Sequence, residues 1–200
     1  KIDGVTLDKK NIATRGRALG VIGQQMMRLS NVCEKYGWID PDKLTGTHET
    51  WELFLLFFAQ TYGKRLVENN LLSKKGLEIV VNKTNNLNLN LTYPYLIHRD
   101  IKFRNIIRSS NGKIWIIDWE NAMLGDPLFE LAVFSARNGR NNFWRKLSEG
   151  YNLKTQLLNY SSYDLYESLA LIGLVSFLNK HSLCFKDKLE NLNKLIDKDI

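Results

Sequence analysis

Three oxygen-bearing side chains stand close together in the segment IHRDIKFRNIIRSSNGKIWIIDWENAMLGDPLFELA, residues 97–132: Asp100, Asn105 five residues on, and Asp118. Carboxylate and amide oxygens are hard ligands. Mg²⁺ prefers such ligands, takes one or two protein carboxylates and completes its shell with water and substrate phosphate. Asp118 with the Asn105 amide oxygen is therefore sufficient protein ligation for a Mg²⁺-bound nucleotide, and Asp100 remains free to orient a substrate hydroxyl and accept its proton. The stretch 99–113 adds Arg99, Lys102, Arg104, Arg108 and Lys113 against the acid Asp100. A local basic surplus of this kind suits phosphate groups, of a nucleotide or of a nucleic acid.

These groups meet only if strand and loop ends deliver them. Tyr95 to His98 is a short apolar, strand-like run ending at Asp100. Ile106–Ile107 and Ile114–Ile117 are two more, joined through Ser-Ser-Asn-Gly. Asn111-Gly112 tolerates positive φ and is a strong hairpin signal, so the spacing predicts a β-hairpin that returns the chain to Asp118. Helices are expected on either side. Leu19, Ile22, Met26 and Leu29 recur at helical spacing, and Glu49 to Tyr62 is apolar enough to be largely buried. Gly37, Asp40 and Pro41 punctuate a loop between them, a further helix is expected around Val67 to Leu72, and the Asn-rich Asn82 to Asn90 reads as a polar loop. Pro127 suits a first helical turn that Asn138-Gly139 ends, and Phe143–Tyr151, Tyr163–Lys180 and Lys186–Lys198 follow as three more helices. The sum is an α+β, mostly helical domain with a small β insert.

The order H-R-D-x-x-x-x-N, then an Asp at the end of the next strand pair, resembles the catalytic loop and metal-binding Asp of eukaryotic-type kinases. The continuation IDWENAMLGDPLFELA departs from protein kinases, which carry Phe-Gly after that Asp, and resembles the aminoglycoside phosphotransferase and choline kinase-like family. The resemblance implies the larger, C-terminal lobe of the protein kinase-like fold over residues 1–200. It further implies Asp100 as catalytic base or hydroxyl-orienting group, Asn105 and Asp118 as Mg²⁺ ligands at a bound ATP or GTP, and His98 as support of the loop. Asp126 and Glu130 match later acids of the family, with Glu130 replacing the usual Asp, and would fix the loop. Arg99 stands where the antibiotic kinases usually have a Gly after the His, and Arg99 and Lys102 match the protein-kinase loop. Lys102 would there neutralise the transferred phosphoryl group. No Gly-rich loop and no strand-borne Lys paired with a helix Glu precede Asp100. Gly16, Gly20 and Gly23 fall on a helix, so the small nucleotide-clamping lobe is expected to be absent and the isolated chain to bind ATP poorly.

The chain has 200 residues, 44% hydrophobic and 24% charged, which excludes disorder and bounds it to one domain. Its first residue is Lys, which suggests a processed or truncated product, and no membrane helix or secretory signal is read from it. Cys33 and Cys184 form no metal or disulfide framework and are expected to be inert, buried or half-buried thiols, as in a cytoplasmic protein. Trp51, Phe54, Phe57 and Phe58 read as core, Arg104 and Arg108 as solvated charges, and His48 and His181 as local or surface groups. The net charge of +7 resides before residue 120, where 18 basic side chains face 11 acidic ones. The expected acceptor is a small-molecule hydroxyl, first an aminoglycoside antibiotic, which would make the enzyme a resistance factor. The alternatives are choline, a sugar or another metabolite, or a non-catalytic, kinase-derived binding module. A nucleic-acid role lacks any supporting motif and ranks last.

Overall fold

A computed structural model describes residues 3–29, 33–89, 91, 93–152 and 160–198. Seven helices and two antiparallel sheets are present among them: α1 (Ile12–Met26), α2 (Trp51–Glu68), α3 (Lys74–Asn85), α4 (Pro127–Asn138), α5 (Asn142–Gly150), α6 (Tyr160–Lys180) and α7 (Lys186–Asp197). Side chains cap most helix starts. The Asn11 side chain accepts from Thr14 N at 2.9 Å and that of Thr50 from Leu53 N at 3.2 Å. Ser73 does the same for Gly76 N at 2.9 Å, each satisfying a donor that has no partner inside the helix.

The predicted hairpin forms from β5 (Ile106–Ser109) and β6 (Ile114–Ile116), with Ile106 opposite Ile116, and β1 (Gly4–Thr6) pairs with β5 to make three strands. A second sheet was not legible. Its order is β3 (Thr45–His48), β2 (Tyr36–Asp40), β7 (Met123–Gly125), β4 (Tyr95–Ile97). The expected loop at Gly37, Asp40 and Pro41 is thus part of a β2–β3 hairpin. Asp40 Oδ1 accepts from Asp42 N at 2.9 Å and Lys43 N at 3.1 Å, so the loop residues make the turn while Tyr36 to Asp40 pair. Two further corrections concern helices. No separate helix covers Val67 to Leu72, because α2 runs on through Glu68 before the chain turns. Asn82 to Asn85 close α3, since Val80 and Thr84 are buried on its inner face; Asn90 lies outside the described residues.

The core lies where α2, α4 and α6 meet. Trp51, Phe54, Phe58, Phe129 and Tyr166 are buried there, with Trp51 stacked on Phe54 at 5.2 Å and Phe129 edge-on to Tyr166 at 5.7 Å. Phe57, expected in this core, is 43% exposed, because it faces away from the stripe that Phe54 and Phe58 share. Cys184 is likewise exposed and Cys33 half-buried. The glycines of α1 serve packing. A Cβ at Gly23 would stand 2.6 Å from the Leu147 carbonyl, so α1 and α5 approach closely only because that atom is absent.

Candidate active site

One buried acid of α4 holds the loop that follows β4, and a second caps the helix. Glu130, in the first turn of α4, accepts from the backbone N–H groups of His98 and Arg99, the latter at 2.9 and 3.0 Å. That double contact fixes Arg99 in the left-handed region, φ 62°. Burial pushes the Glu130 carboxyl up to about 7, against the opposing hydrogen bonds from Arg99 and His98. Asp126 caps α4 through Leu128 N at 2.8 Å and accepts from the Tyr166 hydroxyl at 2.8 Å, which in turn accepts from Trp51 Nε1 at 2.9 Å. Burial raises the Asp126 pKa. Glu130 thus holds the loop as the resemblance implied, whereas Asp126 caps α4 and ties it to α6.

His98 joins the loop to the strand end that bears Asp118. Its Nε2 lies 2.9 Å from the Ile117 carbonyl, and its Nδ1 accepts from Asp100 N at 3.2 Å. This pattern assigns the neutral tautomer with the proton on Nε2, and burial lowers the His98 pKa in agreement. Asn105 ends a short 3₁₀ turn, Phe103–Asn105, and Ile117 N donates to its carbonyl at 2.9 Å. Asp118 then takes φ 71°, a left-handed conformation that turns the chain out of β6 and leaves its carboxylate exposed.

The expected site residues meet here. Asn105 Nδ2 lies 3.1 Å from Asp100 Oδ2, 3.0 Å from the Asp100 carbonyl and 3.2 Å from Asp118 Oδ2. Lys102 Nζ reaches both Asp100 oxygens, at 2.6 and 2.8 Å. Burial and neighbouring Arg104 lower its pKa. Sequence reasoning missed Arg137, whose Nη1 pairs with Asp100 Oδ1. The signal was available: Arg137 follows Glu130 and Val133 at helical spacing on the face of α4 that points at the loop.

Asp100, Lys102 and Asp118 open onto a cavity of about 300 Å³, shared with Arg99, Arg104, Glu120 and Arg137 and walled by apolar side chains of α2, α4 and α6 such as Phe58, Phe129 and Leu174. Arg104 is exposed at its rim, and Arg108 and Lys113 take no part in it. His48 and His181 do not line it; His48 packs on Phe57, and His181 packs on Phe177, which does. No group of three or more His, Cys, Asp or Glu side chains fit to hold a metal occurs among the described residues. The donor set of Asp118 and Asn105 nonetheless suits Mg²⁺, which needs few protein ligands when phosphate and water supply the rest.

Comparison with known proteins bears on the family and the fold. Residues 2–169 match the model of the phosphotransferase enzyme family. A LicA homologue of Mycoplasma capricolum subsp. capricolum is 31% identical over 114 residues, 56% of this chain and 42% of that protein, so the match spans less than half of the relative's length. Among solved structures, the apo form of a thermostable mutant of aminoglycoside phosphotransferase APH(4)-Ia superposes with a TM-score of 0.74 at 16% identity, over 100% of this chain and 71% of that one. A ternary complex of such a mutant with AMP-PNP and hygromycin B gives 0.76 at 18%, over 98% and 69%. Choline kinase LicA from Streptococcus pneumoniae gives 0.60 at 18%, over 99% and 68%. At these identities the likeness is one of fold. None of the described helices is long and apolar enough to cross a membrane.

Proposed function

Because the chain belongs to the phosphotransferase enzyme family, we propose that it transfers the γ-phosphoryl group of ATP or GTP to a hydroxyl of a small molecule. The observation that carries this reading is the meeting of Asp100, Asn105 and Asp118 within hydrogen-bond distance at one cavity. The acceptor oxygen bonds to the γ-phosphorus, the bond from that phosphorus to the β-phosphate oxygen breaks, and the products are a phosphate monoester and the nucleoside diphosphate. Asp100 orients the hydroxyl and takes its proton. Asn105 and Asp118 would hold Mg²⁺, which supplies charge neutralisation on the phosphates. Lys102 is assigned to the transferred phosphoryl group, and Glu130 and His98 position the loop through the hydrogen bonds given above.

The clamp over the nucleotide is proposed to come from outside these residues, in flanking chain or a partner, so the natural polypeptide carrying them is the form to assay. Dependence on a nucleoside triphosphate and two unpaired thiols favour the cytoplasm as its place. Of the acceptors expected from the sequence, a polycationic aminoglycoside fits the cavity poorly, since Arg99, Lys102, Arg104 and Arg137 line it against Asp100, Asp118 and Glu120. The test is ³¹P NMR of the polypeptide with Mg-ATP and a panel of hydroxyl compounds. A new monoester signal together with ADP, absent in Asp100→Asn, is the expected result. The same rate in Asp100→Asn would remove Asp100 from the chemistry, and no monoester with any acceptor would favour a non-catalytic binding module.

A further inference from the structure

We propose that the acceptor is a small hydroxyl compound bearing an anionic oxygen group, carboxylate or phosphate, which the Arg99 guanidinium holds in the cavity; this rests on the phosphotransferase reading. Arg99 lines the cavity, yet its side chain is supported by rings instead of acids. The guanidinium lies 4.4 Å from the Trp38 ring centre and 5.9 Å from that of Phe58. Its Nε is buried without a hydrogen-bond partner. The acid close enough to act on it, Glu130, spends both oxygens on the backbone N–H groups of His98 and Arg99.

The other inner cations differ. Lys102 and Arg137 each pair with Asp100, so each has an acid in direct contact. Arg99 makes no salt bridge among the described residues: burial lowers its pKa to about 10 while Tyr62 and Glu130 act the other way, and the group stays protonated at neutral pH. A buried cation without a partner is costly, and a planar fork of N–H donors is matched by a carboxylate or phosphate. Aromatic faces of this kind also recognise quaternary ammonium ligands. Here the protein's own cation lies over Trp38 and Phe58, so those two rings are not free for a choline headgroup. The apolar walls from Phe129, Val133 and Leu174 and a volume of about 300 Å³ set a small body between the anionic end at Arg99 and the hydroxyl at Asp100.

A matched panel tests this: glycerol, glycerate, glycerol 3-phosphate and choline. Binding is measured by calorimetry without nucleotide, and transfer is measured with Mg-ATP. In the wild-type protein at least one anion is expected to bind tenfold or more tighter than glycerol, and its identity tells carboxylate from phosphate. Arg99→Gln should bring that ratio within about twofold, with Arg99→Lys between. The Arg99 Nε–H resonance of ¹⁵N-arginine-labelled wild type gives a reading that needs no variant, and it should shift with the favoured anion and not with glycerol. Equal or tighter binding of glycerol or choline, no binding at all, or an unchanged ratio in folded Arg99→Gln overturns the inference. An anion preference without transfer to any acceptor would refute the phosphotransferase reading and keep this site. Transfer to glycerol or choline with no anion preference would do the reverse.

Discussion

Glu130→Gln tests how the loop is held. The wild-type carboxyl is fully buried and titrates at about 7, against an ordinary value of 4.5 in the unfolded chain. The folded state therefore holds a proton between those pH values that the unfolded state releases. The stability this contributes is complete below pH 4.5 and is lost as pH rises through about 7. At about 1.4 kcal/mol for each pH unit separating the two values, the whole span is roughly 3 kcal/mol, of which about 2–3 kcal/mol falls between pH 5 and pH 8. Glutamine cannot titrate. It also keeps one acceptor for the His98 and Arg99 N–H groups and sets an NH₂ against the other, a mismatch of about 1–3 kcal/mol that does not vary with pH. His98 has the opposite slope, because its lowered pKa costs stability as pH falls, but it is present in both proteins and cancels in the difference. Urea unfolding of wild type and variant, followed by tryptophan fluorescence, should show the wild-type advantage shrinking by about 2–3 kcal/mol from pH 5 to pH 8. A difference that stays constant, or grows with pH, would refute the assignment of a raised, buried carboxyl at Glu130.

Other expectations follow from single contacts. Asp100→Asn should lower phosphoryl transfer by about a hundredfold to ten-thousandfold in a rate assay, and should also lower the unfolding midpoint, since Lys102 and Arg137 lose the carboxylate they pair with. Asp126→Ala removes a helix cap and orphans the Tyr166 hydroxyl, and denaturant unfolding should register a loss of about 2–4 kcal/mol. Gly23→Ala places a Cβ 2.6 Å from the Leu147 carbonyl, backbone that cannot rotate away, and should lower stability by about 1–3 kcal/mol in the same measurement.

Much of the site was legible because its residues are local: Asp100, Asn105 and Asp118 flank one hairpin, whose turn Asn111-Gly112 announces itself. Pro127 and Gly139 marked both ends of α4 for the same reason. What stayed hidden depends on partners far along the chain. The strand β7 is three residues long and exists because β2 and β4, from distant segments, supply its hydrogen bonds. Tyr36 to Asp40 read as loop because their pairing strands follow a turn built by the Asp40 side chain. Arg137 belongs to the site through the packing of α4 on the loop, and Arg99 turns inward because Glu130 holds its backbone in a left-handed conformation. No periodicity in residues 97–105 reports either fact.

Asp118 and Asn105 are proposed to form a Mg²⁺–nucleotide site beside Asp100. Thermal unfolding of the natural polypeptide with ATP tests it most directly. At nucleotide a hundredfold above its Kd the linkage is roughly 2.7 kcal/mol, or about 5–10 °C for a domain of this size. The account predicts that shift with Mg²⁺ and its loss on adding EDTA or in Asp118→Asn. An equal shift without Mg²⁺ or in Asp118→Asn, or no shift with wild type at millimolar Mg-ATP, would contradict it.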